Sequence, residues 1–515
     1  MSLRFIALGA IALAVLANGA TLHVDAAANR HPISPDVYGI NFNWDDPNPL
    51  AGADIGTTAR RWGGNATSTY HWKFDVSNLD ADWFYEVLPD TSIDASKLPD
   101  NSTFNQMFEQ VRQTRGKMVG TIPILGWLPK ARQEMCSYDV AKYGKQCKQD
   151  PYAQYHPYTC GDGIVFDTAC GDPSVNDGKL PPNPSYVQND PHDAYAQFDQ
   201  SLQQDWIRYL VSRYGAGNQG GVNIWSMDNE PIWWDSTHRD IHPQPYTYDE
   251  LLAVDLKYAQ AIKQADPAAL VSGPVADNWA SLWMSKADIV AGWSTPNWWG
   301  NPVDRNAHGG VPLMAWYLQH MRNYEQKSGV RLLDYLDLHA YLAPNAASSA
   351  GAINPLVDST REFWDPTYVV TGDYWIVDTE NNGAPVAPRL IPRLREIVAQ
   401  NYPGTRIAVT EYNWGALDTL NGALAQAEIL GVFGRESLDL ATLWGPPKPS
   451  DPVAFAFKIY RNYDGIGGAF GDTSVSASSD DQARLGIFAA QRSDQALSDG
   501  YQQDGRRYQR RCYAG

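Results

Sequence analysis

The sequence predicts an α/β chain folded as an eight-stranded (β/α)8 barrel, with a small β-sandwich built from its two ends. Short β-type runs alternate with longer amphipathic runs, the pattern of parallel strands joined by helices. Eight such runs are found, at 38–42, 58–63, 118–124, 222–227, 270–274, 335–339, 407–411 and 440–444. Several end in Glu, His or Trp, residue types that a barrel gathers at the C-terminal ends of its strands.

Each part follows in chain order. Arg4 precedes an apolar run at 5–16 and small residues to 20, which reads as a secretory signal peptide over 1–20, too short for a bilayer-spanning anchor. Residues 21–31 alternate like a strand, so 21–36 is assigned to the small β-domain, and 37–463 to the barrel. Among the intervening helices, Phe198, Leu202, Trp206 and Leu210 share one face, and Thr247 with Glu250 forms a capping box before Leu251. Further helical patterns begin near Asn105, Met314, Leu390 and Ala423. The stretch 129–191 is too long for an ordinary βα loop and is expected to cover the top of the barrel. Strand patterns return at 464–492, and 493–515 is polar and basic, expected to be disordered.

The charge excludes some partners. Lys plus Arg number 40 against 58 Asp plus Glu, a net charge of −18, which repels phosphate backbones and anionic lipid. Neither nucleic acid nor membrane is expected as a partner, and a monomer is expected. Aromatics make up 12% of the chain, enough to present flat apolar faces to a ligand. Cys136, Cys147, Cys160 and Cys170 crowd into one loop-rich stretch, with Cys512 apart, and suit two disulfides in an exported protein. Three pairings are open. Zinc is the competing reading, but gaps of ten, twelve and nine residues lack the close pairs that set two thiolates on one ion.

The fourth run reads Ile224-Trp-Ser-Met-Asp-Asn-Glu-Pro231 and the seventh Ile407-Ala-Val-Thr-Glu-Tyr-Asn-Trp414. Strand ends of one barrel meet at a common mouth, so Glu230 and Glu411 are expected to face each other. A buried, protonated carboxyl and an opposed ionised one in an aromatic cleft are what glycoside hydrolysis needs. Other groups expected at the mouth are Asn229, His339, Tyr341, Trp414 and Trp444. Alternation sends one of Arg60 and Arg61 inward, and Arg61 is chosen. Trp62, Trp127 and Trp233 lie in loops or at strand ends, where rings can stack on sugar faces.

Arg60-Arg-Trp-Gly-Gly-Asn-Ala-Thr-Ser-Thr-Tyr-His-Trp72, the Asp-Asn-Glu-Pro around Glu230, Thr410-Glu-Tyr-Asn-Trp-Gly415, and Gly434-Arg-Glu436 before Leu440-Ala-Thr-Leu-Trp-Gly445 together resemble glycoside hydrolase family 44. The resemblance runs from about Tyr38 to Arg492. It implies a barrel with an attached β-sandwich and cleavage inside β-1,4-glucans such as cellulose derivatives and xyloglucan, with retention of configuration. It implies Glu230 as acid/base, Glu411 as nucleophile, Asn229 at the sugar 2-hydroxyl and Trp444 beneath a sugar. It also implies further hydrophobic strands beyond Arg492, where this chain turns polar, so the sandwich is expected to be incomplete.

Three rivals stand beside this reading. A mannanase or xylanase would use the same carboxylates with different loop aromatics. A non-catalytic carbohydrate-binding protein would keep the aromatics and need neither glutamate. A metal hydrolase would draw on His238 and His242, four residues apart, but Pro243 weakens the helix that this spacing requires. No cofactor is expected for catalysis, while Asp45 with Asp46, or Asp80 with Asp82, offer oxygens for a structural calcium.

Overall fold

The computed structural model describes residues 21–42, 54–171, 184–293, 295–341, 355–480 and 485–492. The signal-peptide assignment, the polar tail with Cys512, and Asp45 with Asp46 lie outside the described residues.

Eight parallel strands close a barrel in chain order: β1 (Gly39–Asn41), β2 (Ala59–Arg61), β3 (Lys117–Ile122), β4 (Ile224–Met227), β5 (Leu270–Asp277), β6 (Tyr335–Tyr341), β7 (Arg406–Asn413) and β8 (Leu440–Leu443). β8 pairs with β1 through Thr442↔Gly39 and Leu443↔Ile40, which closes the ring. A Cβ at Gly39 would come within 2.5 Å of the Ala441 carbonyl, so this seam needs a glycine. The strands are joined by α1 (Thr103–Thr114), α2 (Gln200–Tyr214), α3 (Tyr248–Ala265), α4 (Leu313–Ser328), α5 (Leu390–Asn401) and α6 (Leu420–Arg435), and α7 (Pro452–Arg461) follows β8. Side chains of Ser102, Asp199, Thr247 and Thr419 accept from backbone N–H groups at four helix starts, replacing bonds a first turn lacks.

The barrel interior is layered. Ala59, Val119, Ile224, Tyr335, Ala408 and Leu440 pack together with Leu270 and plug one end. Two residues further along, the inward positions turn polar: Arg61, Thr121, Ser226, Ser272, Asp337, Thr410 and Thr442 are all fully buried. Alternate residues such as Trp225, Met227, Leu336, Leu338, Ile407 and Val409 belong to the larger core shared with the helices. Period-two alternation thus separates a polar inner column from an apolar outer coat.

The chain ends form one antiparallel sheet in which Thr473–Ser479 pairs with Leu22–Asp25, His31–Pro32 and Ala489–Gln491. Phe488 rests against Gly431 of α6, docking this sheet on the barrel. In the long insertion the disulfides are Cys136–Cys160 and Cys147–Cys170. Both thiol pairs are thereby consumed, which removes the zinc reading of these cysteines.

Candidate active site

Three strands run past their expected ends: β5 to Asp277, β6 to Tyr341 and β7 to Asn413. Between Asp337 and Ala340 of β6 lie two residues, while three lie between their partners Ala408 and Tyr412 on β7. The same surplus appears against β8, where Val409 and Tyr412 pair with Ala441 and Leu443. One extra residue in β7 is a β-bulge, which re-aims side chains beyond it. Thr410 therefore stays inside the barrel and Glu411, the next residue, also reaches the mouth.

Glu411 is 5% exposed and held at both oxygens. Arg61 Nη1 donates to Oε1 at 2.6 Å and the Tyr341 hydroxyl donates to Oε2 at 2.6 Å. The guanidinium also donates to Asn41 Oδ1 at 3.2 Å and to Asn229 Oδ1 at 2.8 Å, so one fork links β1, β2, β7 and the turn after β4.

Glu230 follows β4 in a tight turn, with φ of 64° at Asp228 and 46° at Glu230. Non-glycine residues in this left-handed region store strain, a recurrent feature of functional turns. The turn is held by Asp228, which accepts from Ser68 Oγ at 2.5 Å, Ile124 N–H at 2.8 Å and Trp234 Nε1 at 3.2 Å. The Glu230 N–H donates to the Val275 carbonyl at 3.0 Å. Burial pushes the Glu230 carboxyl up to about 7, against the opposing charge of Arg61 and with the aid of Asp82.

His339 stands between the two glutamates, fully buried. Its Nδ1 lies 2.7 Å from Glu230 Oε1 and 3.6 Å from Glu411 Oε2, and its Nε2 lies 3.2 Å from Thr410 Oγ1. The Thr410 hydroxyl donates to Asp337, which also accepts from Ser272. Burial lowers the His339 imidazole to about 4, so it is neutral near pH 7. One oxygen of Glu230, one of Glu411 and a nitrogen of His339 lie within 4.8 Å of one another. These atoms have the spacing of metal ligands, but the guanidinium on Glu411 opposes a second cation there.

A third carboxyl adjoins the pair. Asp277 accepts from Trp233 Nε1 at 2.7 Å and Asn278 Nδ2 at 2.8 Å, and burial, followed by the charge of Glu230, pushes it up to about 8. Beside it opens a cavity of about 240 Å³ lined by Trp233, Trp279, Tyr341, Trp375 and His339. Trp444 is half-buried and its ring lies over Gly64, where a Cβ would approach to 2.6 Å.

Of the residues expected from sequence, Glu230, Glu411, Asn229, Arg61, His339 and Tyr341 meet in one hydrogen-bonded cluster, with Trp233 at its edge. Arg60 points the other way, its guanidinium 3.8 Å from the Phe42 ring. Two tryptophans, Trp62 and Trp414, correct the expectation. Trp62 is 2% exposed and packs edge-on against Tyr70 and Phe104, because its position after β2 turns it into the helix layer. Trp414 is 6% exposed against Phe363 and Tyr412, its Nε1 donating to Ser359. Trp127 is half-buried against a satellite cluster of Val87, Met135 and Tyr195, its ring edge to His192.

The metal-hydrolase pair also fails: the helix Trp234–Thr237 ends before His238, which is fully buried, and His242 turns to Glu250 at 2.9 Å. Asp80 accepts from the Asp82 N–H, and Asp82 accepts from Asn65, which in turn accepts from Asn229. Sequence reasoning missed Asn41, Asp228, Asp277, Asp337 and Thr410. Asp337 had a usable signal, sitting two residues before His339 on the inward face of β6, whereas Asn41 and Asp277 had none.

Comparison with known proteins agrees with this geometry. The model of glycoside hydrolase family 44 matches residues 76–343, just over half of the chain. Endoglucanase A of Paenibacillus lautus is 26% identical over 493 residues, covering 92% of this chain and 62% of that protein. The beta-mannanase/endoglucanase A of Caldicellulosiruptor saccharolyticus is 27% identical, covering 91% of this chain and 33% of that protein. The chain thus spans about three-fifths and one-third of the curated relatives it matches. A bifunctional glucanase-xylanase from a metagenome library superposes with a TM-score of 0.80 at 35% identity, covering 92% of this chain and 85% of that one. The closed barrel, the paired glutamates at its mouth and these matches together mean that the chain belongs to glycoside hydrolase family 44.

Proposed function

We propose that the protein is a secreted, retaining endo-β-1,4-glucanase acting on cellulose derivatives and xyloglucan, with Glu230 as acid/base and Glu411 as nucleophile. The observation that carries this reading is the asymmetry of the pair. Glu230 is pushed up to about 7 and faces a neutral imidazole, while Glu411 is clamped by a guanidinium and a phenol. One carboxyl is thus prepared to give a proton and the other to attack carbon. The approach of their oxygens to within 4.8 Å favours retention, for which carboxyls stand roughly 5 to 5.5 Å apart, over inversion at roughly 6.5 to 9.5 Å.

In the first step Glu411 bonds to the anomeric carbon as the glycosidic C–O bond breaks, and the Glu230 proton passes to the departing oxygen. His339 holds that proton in place: Thr410 donates to Asp337, so it accepts from Nε2–H, which leaves Nδ1 to accept from the Glu230 carboxyl. Esterification cancels the charge of Glu411 and favours ionised Glu230, which then takes a proton from the water that attacks the same carbon. Asn229, oriented by Arg61 and Asn65, is assigned to the 2-hydroxyl, and Trp233 and Trp444 to sugar faces. Export is supported by the two disulfides, which persist in oxidising compartments. Among the described residues no helix is long and apolar enough to cross a membrane.

The test is reducing-end release from carboxymethylcellulose, xyloglucan, xylan and mannan by wild type and Glu230→Gln. Activity on the two glucans that collapses in the variant supports the proposal; a preference for mannan or xylan moves the substrate assignment to a sister glycanase. A folded wild type that is inactive on all four polymers refutes it.

A further inference from the structure

A second cluster of ionisable groups lies where the long insertion meets the segment between β2 and α1, on the ribbon of Glu86–Val87 and Met135–Cys136. Glu86 pairs in register with Cys136, which is bonded to Cys160, and the Cys160 carbonyl accepts from the Asp150 N–H at 2.9 Å. Ribbon and loop are therefore tied covalently, with two carboxylates facing the space between them. Glu86 is fully buried and both of its carboxylate oxygens lack a hydrogen-bond partner. Asp150 is 4% exposed, and its Oδ2 also lacks a hydrogen-bond partner. Among the described residues neither forms an ion pair with a lysine or arginine. His156 completes the group: Glu86, Asp150 and His156 each offer a ligand atom, all within 4.8 Å of one another.

An unpartnered buried carboxylate is costly, and two side by side are costlier, unless a cation joins them. The orientation of the imidazole points to the kind of cation. His156 Nε2 faces Asp150 Oδ2 at 3.8 Å, while Nδ1 lies 3.2 Å from Glu134 Oε2. A carboxylate accepting from one ring nitrogen while the other is aimed into a ligand cluster is the arrangement that supports metal-bound histidine. Imidazole beside carboxylates suits Zn2+ or Mn2+, whereas Ca2+ favours oxygen alone.

We propose that Glu86, Asp150 and His156 form a binding site for a divalent transition-metal ion, with Glu134 orienting the histidine. The ion would bridge the ribbon to the disulfide-stapled loop and so stiffen the insertion. It lies apart from the Glu230–Glu411 pair, and its test is independent of hydrolysis.

The full chain, stripped with chelator and dialysed, is titrated with ZnCl2, MnCl2 and CaCl2 by calorimetry and followed by thermal melting. One Zn2+ or Mn2+ per chain and a rise in Tm are expected. Glu86→Gln should weaken binding by about 100-fold or more and abolish the metal-dependent rise, while the metal-free Tm changes little, because Gln is close in shape to the protonated carboxyl. His156→Ala should weaken Zn2+ at least about tenfold. A wild type that takes up none of the three ions, or a Glu86→Gln variant that binds as the wild type does, overturns the site. Binding of Ca2+ alone, unchanged in His156→Ala, overturns the assignment to a transition metal.

Discussion

If Glu230 is the acid, the alkaline limb of the pH profile is its titration, and the structure sets where that limb falls. The carboxyl is held near 7 by burial, so half of the enzyme carries the required proton at that pH, about one-tenth at pH 8 and about one-hundredth at pH 9. Glu230→Gln keeps a hydrogen bond toward His339 but has no proton to give. Its rate on a glucan should fall by about 10²- to 10⁴-fold, the usual contribution of general acid catalysis, and the remaining rate should lose the alkaline limb. An aryl β-glucoside with a strongly acidic phenol leaves without help, so on that substrate the first step should be nearly unaffected. The slow second step then accumulates glycosyl-enzyme, seen as a burst of phenol, and azide should relieve the block by attacking without a general base. The assay is kcat/KM against pH from 4 to 9 on carboxymethylcellulose and on the activated glucoside. An alkaline limb that persists in Glu230→Gln, or an equal loss on both substrates, would refute the assignment and move the acid role to Asp277.

Three further outcomes are expected. Tyr341→Phe removes a 2.6 Å hydrogen bond to Glu411 Oε2, and the loss of about 1.5–3 kcal/mol predicts a kcat/KM reduced about 10- to 150-fold with little change in Tm. The two tryptophan roles separate by readout: Trp62→Ala should cost about 3–5 kcal/mol in chemical denaturation because it empties a core site, whereas Trp444→Ala should raise KM and leave stability nearly intact. Stability itself should fall as pH rises from about 5 to 8: Asp255, Asp277 and Glu362 are pushed up to about 8 and Glu230 to about 7, chiefly by burial. The folded state binds these protons more tightly than the unfolded chain, so the stability they give is complete below the unfolded carboxyl range and is lost through the folded values. Thermal melting across this range checks it, and a Tm that climbs steadily to pH 8 contradicts it.

The strands and the two glutamates were legible because they are written locally. Alternation at Ala59, Arg60 and Arg61 is a property of any extended segment with one face inside a barrel; it sends one of the two arginines inward, and the barrel plug at Ala59 makes that one Arg61. Apolar runs ending in Glu230 and Glu411 likewise mark strand ends that must meet if eight strands close. The tryptophans were less legible, since a ring beside a strand end reads the same whether it turns to the mouth, as Trp233 does, or into the helix layer, as Trp62 does.

Alternation taken alone would have misplaced Glu411. Ala408 and Thr410 face inward, so strict periodicity sends Glu411 outward with Ile407 and Val409, and the extra residue in β7 restores it to the mouth. A bulge depends on the register of both neighbouring strands, which no single segment encodes. The same holds for the relay from Asp337 through Thr410 and His339 to Glu230, for the pairing Cys136–Cys160 and Cys147–Cys170, and for the meeting of Glu86 with Asp150 and His156. From its sequence alone this chain determined its periodicities, its strand ends and the chemistry available there. Which side chains touch, and with what charge, was decided by tertiary closure, because contact and desolvation arise only between segments brought together from distant parts of the chain.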